Sequence, residues 1–234
     1  MDELRVGSFK EFHDLISLHH DEWFRWYYRG HTSTAYKLVP KVGRPPFAGR
    51  IDDRMMFARW RRHAVAYVEP GPSQLSEWDW LAIAQHHGLA TRLLDWSFNA
   101  MTAAFFALID GSNRVDESRD SAVYAHYSRR EFVDTKTETD PFALRGIHRV
   151  APGSVVPRIG RQGGIFTLHG PPDQGLEELL PAGDALHCLI IDRACKKGFA
   201  IQLSHYGVNR MAMFPDLDGL SEHINWSFTY LSYE

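Results

Sequence analysis

The densest chemistry in the chain lies in thirteen consecutive residues, Gln85-His86-His87-Gly88-Leu89-Ala90-Thr91-Arg92-Leu93-Leu94-Asp95-Trp96-Ser97, eight of which can hydrogen-bond or carry charge. They sit between two apolar stretches, so several must approach the interior. There an unsatisfied polar group costs roughly 1–3 kcal/mol. Such density fits either a buried network that holds the fold or a ligand site. Arg92 and Asp95 have opposite charge and close spacing, and they are expected to pair. His86, His87 and Asp95 are all metal-ligating types, but adjacent histidines on a helix point about 100° apart and do not chelate one ion readily. No metal is expected.

A second cluster is Tyr28-Arg29-Gly30-His31-Thr32. An arginine at a strand end followed by glycine would set a planar five-donor guanidinium beside open backbone, which suits an anion. The same pentapeptide also fits a structural arginine paired to an acid beside a turn. A third runs from Pro157 to Thr167, where Arg158, Arg161 and Gln162 flank three glycines in a turn that leads into a strand. Arg158, Arg161 and Gln162 are candidates to face a phosphate. The chain contains no G-x-G-x-x-G, no P-loop and no G-x-S-x-G.

The elements that must position these residues can be read from period and caps. Ser8 to His20 has a helical apolar face, with Ser8 as cap and Glu11 three residues on. Trp23 to Tyr28 reads as a strand that Gly30 ends. Asp52 to Val68 has helical spacing and stops before Glu69-Pro70-Gly71-Pro72. Ser76 to His87 is a capped helix stopped by Gly88, and Thr91 to Trp96 is extended. Ser97 or Asn99 starts a helix through Ile109 that is apolar on nearly every side, hence buried. Strands are expected at Ala122 to Tyr127, Ile165 to Leu168 and Leu186 to Ile191. Residues 134 to 164 read as a long functional loop. Arg193 to His205 is helical, and Leu217 to Asn225 forms a last short helix. Intermixed helices and strands without a linker predict one α+β domain over 1–234, a central mixed sheet flanked by helices.

The composition excludes several classes. With 26 Lys+Arg, 29 Asp+Glu and 13% aromatic residues in 234, the chain is neither disordered nor broadly polyanion-binding. The arginines at 54, 59, 61 and 62 spread over several helix faces, as a solvated flank does. The longest apolar run, Ala100 to Ile109, is too short to span a bilayer, and two cysteines make no disulfide framework. A cytoplasmic, soluble protein without membrane contact is expected.

Together the motifs resemble the FRG-domain family. That family is named for an aromatic-Arg-Gly, here Tyr28-Arg29-Gly30, and its strongest block is similar to Gln85–Trp96. His87 stands where an aromatic is usual and Ala90 where proline is usual. The segments Arg158–Phe166 and Phe214–Gly219 also match, so the resemblance runs from about residue 20 to 225. A second resemblance is to ADP-ribosyltransferase-like folds, on Arg29-Gly30-His31-Thr32, Gly88-Leu89 and the Ala-rich helix after Trp96. It implies that NAD is the substrate. Arg29 would hold ribose and pyrophosphate, with Thr32 or Ser97 on the ribose. Tyr28, Gly30, His31, Gln85, His86, Thr91, Arg92 and Arg158 would line the site. The family's Gln-x-Glu or Glu-x-Glu is absent; Gln162 occupies the matching turn, Asp95 could approach from the other strand, and Glu177 and Glu178 are acids expected on an exposed loop or short helix.

Three readings result. The first is an NAD-consuming transferase or glycohydrolase, a toxin or phage-defence effector with a protein or nucleic-acid acceptor. Its signature would be a pocket joining Arg29, Gln85, Asp95 and Gln162. The second is a non-catalytic module that binds a nucleotide or nucleic acid through the same arginines. The third is a hydrolase or nuclease with His86 or His87 as general base.

Overall fold

The computed structural model describes residues 2–68, 75–109, 114–151 and 164–231. The fold is α+β, with mixed strand pairing flanked by helices, as the intermixed sequence pattern predicts. Packing divides the chain into two compact units. One comprises Met1–Tyr36, Ser97–Ser128 and Asp184–Glu234; the other comprises Lys37–Trp96 and Arg129–Gly183.

The first unit carries strands β1 (Asp2–Val6), β2 (Trp26–His31), β4 (Ser121–Tyr127) and β7 (Ala185–Ile191), in the order β1-β7-β4-β2. β1 runs parallel to β7, and the other pairs are antiparallel. Helices α1 (Phe9–Ser17), α4 (Ala100–Leu108) and α5 (Lys196–His205) supply the apolar cover. A four-residue α6 (Arg210–Met213) and α7 (Leu217–Tyr230) close the chain. Strand alternation splits β2 into two faces. Tyr28 joins the apolar core with Phe12, Ala103, Ala107 and Phe199. Gly30 shares that face, where α4 lies so close that a Cβ would stand 2.0 Å from the Ala103 carbonyl oxygen and 2.5 Å from the Ala107 nitrogen. Tyr27, Arg29 and His31 take the opposite face.

The second unit carries β3 (Leu93–Ser97), β5 (Gly146–Val150) and β6 (Gly164–Gly170), in the order β3-β6-β5, with α2 (Asp53–Ala64) and α3 (Glu77–His86). The last residue of β3, Ser97, belongs to the first unit and pairs with Tyr28. The second core is aromatic: Phe57, Trp78, Trp80, Phe142 and Phe166 pack with Leu81, Leu93 and Leu168. The caps follow the sequence signals. Ser76 and Asp79 form a reciprocal capping box, and Asn99 caps α4 through Met101 and Thr102. Gly88 ends α3 with φ +86.

Four expectations change. β2 begins at Trp26 and continues through His31, because Gly30 serves helix approach and does not end the strand. The stretch read as a loop from 134 contains β5, whose apolar signal is broken by His148 and Arg149. Arg149 is buried all the same, its guanidinium 4.2 Å from the Phe132 ring centroid. β1 has no apolar alternation to announce it, since four of its five residues are exposed and its ladder to β7 holds it. The last helix extends to Tyr230, because Trp226 and Ser227 are buried.

One histidine is held uncharged by its surroundings. His19 stacks on Trp26 at 3.6 Å, and its Nδ1 shares a hydrogen bond with the Tyr28 hydroxyl at 2.8 Å. Burial, and then the nearby His187, push its pKa down to about 4. Burial likewise raises that of Tyr28. The unfolded chain therefore binds a proton at His19 that the folded chain refuses between about pH 6.5 and 4. The associated stability is complete above the unfolded pKa and lost as pH falls toward the folded one.

Two outcomes are expected. Gly30→Ala should lower stability in urea by about 1–3 kcal/mol or more, since backbone must shift to admit the methyl. A Gly30→Ala midpoint equal to wild type would contradict the close approach. His19→Gln should flatten the fall in melting temperature between pH 6.5 and 4, whereas an unchanged slope would assign that fall to other groups.

Candidate functional site

The Gln85–Ser97 block folds as the end of α3, a turn and β3, all but Ser97 within the second unit. A directed hydrogen-bond chain runs through it. The Leu93 amide donates to Thr91 Oγ1 at 3.1 Å, and the Thr91 hydroxyl donates to Gln85 Oε1 at 2.5 Å. With its oxygen committed there, the Gln85 amide must turn Nε2 outward, and Nε2 donates to Asp95 Oδ2 at 2.7 Å. Thr91 is buried, Gln85 half-buried and Asp95 exposed, while Leu94 and Trp96 on either side of Asp95 are buried. The network thus grows from the core to the surface and ends on a carboxylate. The charge on Asp95 also acts on Arg44: burial lowers the arginine's pKa, and Asp95 opposes that.

The expected Arg92–Asp95 pair does not form. Arg92 lies in the bend before β3, and three residues along extended chain reverses the side to which a side chain points. Its guanidinium instead grips Asp53, the first residue of α2, through Nε and Nη2, each at 2.8 Å. Both residues are buried, and the guanidinium lies 4.6 Å from the Phe142 ring centroid. Arg92 is therefore a structural bolt between α2 and β3, and its Nη1 has no hydrogen-bond partner among the described residues.

The pentapeptide around Arg29 belongs to the first unit. Arg29 lies inside β2 opposite Tyr124, not at a strand end. Its Nε donates to His31 Nε2 at 3.0 Å. The acceptor role of Nε2 leaves the proton on His31 Nδ1, which donates to the Tyr36 carbonyl at 3.1 Å. Edge-on rings of Tyr36 and Tyr124 complete the enclosure of His31. Gly30 faces α4, so its missing side chain admits a helix and does not open a ligand approach. Tyr28 is spent on the core and on His19. Thr32 is half-buried, and Ser97 Oγ accepts the Asn99 amide at the start of α4.

Of the remaining candidates, His86 is half-buried and His87 exposed, their rings edge to face. Arg158, Arg161 and Gln162 lie outside the described residues. Glu177 is tied to the Leu38 amide and Glu178 to Lys37. Sequence reasoning passed over Arg44 and Asp53. Arg44 sits in a proline-rich loop, where nothing distinguishes it from a surface cation. Asp53 follows the cap residue Asp52, so its charge looked like ordinary first-turn decoration. Among the described residues no group of three or more His, Cys, Asp or Glu is arranged to hold a metal ion, and no helix is long and apolar enough to cross a membrane.

The FRG domain family matches residues 24–116, a stretch running from just before β2 to past the end of α4. Over that stretch the chain is similar to the FRG domain. That match takes in Tyr28-Arg29-Gly30 and the whole Gln85–Ser97 block, so both the helix-admitting glycine and the Thr91–Gln85–Asp95 chain lie within the matched stretch. No curated protein and no solved structure matches the chain.

The Arg92–Asp53 pair gives a direct test. Asp53→Ala strands a buried guanidinium and should cost about 3–5 kcal/mol, whereas Asp53→Leu with Arg92→Met should recover most of that loss. Equal melting of Asp53→Ala and wild type would show that the pair carries no stability.

Proposed function

We propose that this chain cleaves the nicotinamide–ribose bond of NAD, as an ADP-ribosyltransferase or NAD glycohydrolase, with Asp95 as the charge-stabilising carboxylate. The observation that carries the reading is the Thr91–Gln85–Asp95 chain, which holds an exposed carboxylate from behind by a fixed amide. In this reaction the ribose C1′–N bond breaks and nicotinamide leaves with the bonding pair. The sugar is left as an oxocarbenium-like cation. A carboxylate beside that carbon lowers the barrier because the charge it meets exists only in the transition state.

Gln85 keeps the carboxylate in place so that no reorganisation is needed when the charge appears. Arg44 supplies a permanent positive charge near Asp95, suited to the pyrophosphate. Water or an acceptor hydroxyl then bonds to C1′ and gives up its proton. Aspartate is one methylene shorter than glutamate, and β3 presents it at the surface with buried neighbours, so reach comes from the strand and not from the side chain. NAD consumption of this kind suits a toxin or phage-defence effector whose acceptor is a protein or nucleic acid.

Nicotinamide release from NAD, followed by mass spectrometry with and without cell extract and nucleic acid, tests the reading. Asp95→Asn should reduce release by about 10²-fold or more, and Gln85→Leu by a smaller factor. Asp95→Asn should leave the melting temperature near wild type, because Asp95 is exposed. Equal release by Asp95→Asn and wild type would remove the carboxylate from the chemistry. No release under any condition would leave a nucleotide-binding module.

A further inference from the structure

The second unit holds a cavity of about 600 Å³ between α2 and α3, lined by neither Gln85 nor Asp95. Its floor is apolar: Met56, Trp60 and Ala64 from α2 meet Ile83 from α3 and Leu89 beyond it. Trp60 is fixed by an edge-on contact with Trp80 at 6.2 Å. At the mouth stands Tyr67, 88% exposed, with no hydrogen bond or ring contact among the described residues. Two aromatic rings and a thioether around a slot of this size accept a flat ring.

The polar groups at the cavity all have one character. Arg59, His63 and His87 line it, and among the described residues no carboxylate does. Arg59 differs from its neighbours on α2. Arg54 pairs with Asp140 and Arg61 with Glu77, while Arg59 has no carboxylate partner among the described residues. An unneutralised guanidinium beside an apolar slot with imidazole donors selects an anion attached to the flat ring.

We infer that the α2–α3 cavity binds a nucleotide, its base between Trp60 and Tyr67 and its phosphate on Arg59 with His63 and His87. The shared chemistry, an aromatic ring carrying a phosphate, belongs equally to a mononucleotide and to a residue of a single strand. The inference does not depend on Asp95, since neither Asp95 nor Gln85 lines this cavity.

Calorimetric titration separates the possibilities. AMP should bind wild type, and adenosine, which lacks the phosphate, should bind at least about tenfold more weakly. Arg59→Gln should bring AMP down to the level of adenosine, and Tyr67→Ala should weaken both. Both side chains are exposed, so circular dichroism should show folded variants. Asp95→Asn should bind AMP as wild type does. Nicotinamide release that persists in Arg59→Gln would separate this cavity from the NAD reaction. A six-nucleotide poly-dA strand run in parallel distinguishes the sources: tighter binding than AMP, lost in Arg59→Gln, assigns the cavity to a strand. Absence of AMP and poly-dA binding, or AMP affinity unchanged in Arg59→Gln, would overturn the inference.

Discussion

The approach of α4 onto β2 at Gly30 constrains everything built on the first unit's strands. Helix backbone occupies the space where any side chain at position 30 would begin. Because side chains alternate along a strand, that contact decides which residues of Tyr27–His31 face the core and which face away. Tyr28 goes inward to the core and to His19. Arg29 and His31 go outward together, close enough for one to donate to the other, and the Tyr36 carbonyl then selects the tautomer of His31. A register slip of one residue would bury the guanidinium under α4 and take Tyr28 out of that core.

The second unit rests on a different device, in which polar groups are ordered by depth. Asp53 and Arg92 neutralise one another in the interior, and Thr91 saturates backbone and amide just above them. Gln85 then carries that order outward to Asp95. Each member makes the next one directional. A carboxylate at the end of such a chain is held by its neighbours and not by its own rotamer preference, which is what electrostatic work on a substrate demands. The cavity between α2 and α3 lies on the same unit but uses the opposite chemistry, with arginine and imidazole groups over aromatic walls.

Much of this was legible in the linear chain. The caps at Ser8, Ser76, Asn99 and Asp216 act as their types suggest, because a side-chain oxygen satisfies nearby amides whatever surrounds it. The buried character of the helix after Asn99 follows from its apolar sequence. The polar density of Gln85–Ser97 pointed to a network, and a network is present. Its wiring was not legible. Arg92 looked destined for Asp95 by proximity in sequence, but its partner lies 39 positions earlier. β1 escaped notice because an edge strand held by backbone pairing needs no apolar alternation, and β5 because a buried arginine packed on an aromatic ring disguises a core-facing position.

What the sequence alone determined is local and compositional: helix starts and stops, the α+β class, the FRG motifs, and the residue types available for chemistry. Those properties depend on side chains acting on backbone within a few residues. Tertiary structure decided which charge neutralises which, why Gly30 is glycine, which way the Gln85 amide points, and that Arg59 stands beside an apolar cavity with no carboxylate partner among the described residues. Each of those depends on groups brought together from distant positions. Their energies come from burial and from satisfied hydrogen bonds in the interior, and neither exists until the chain has packed.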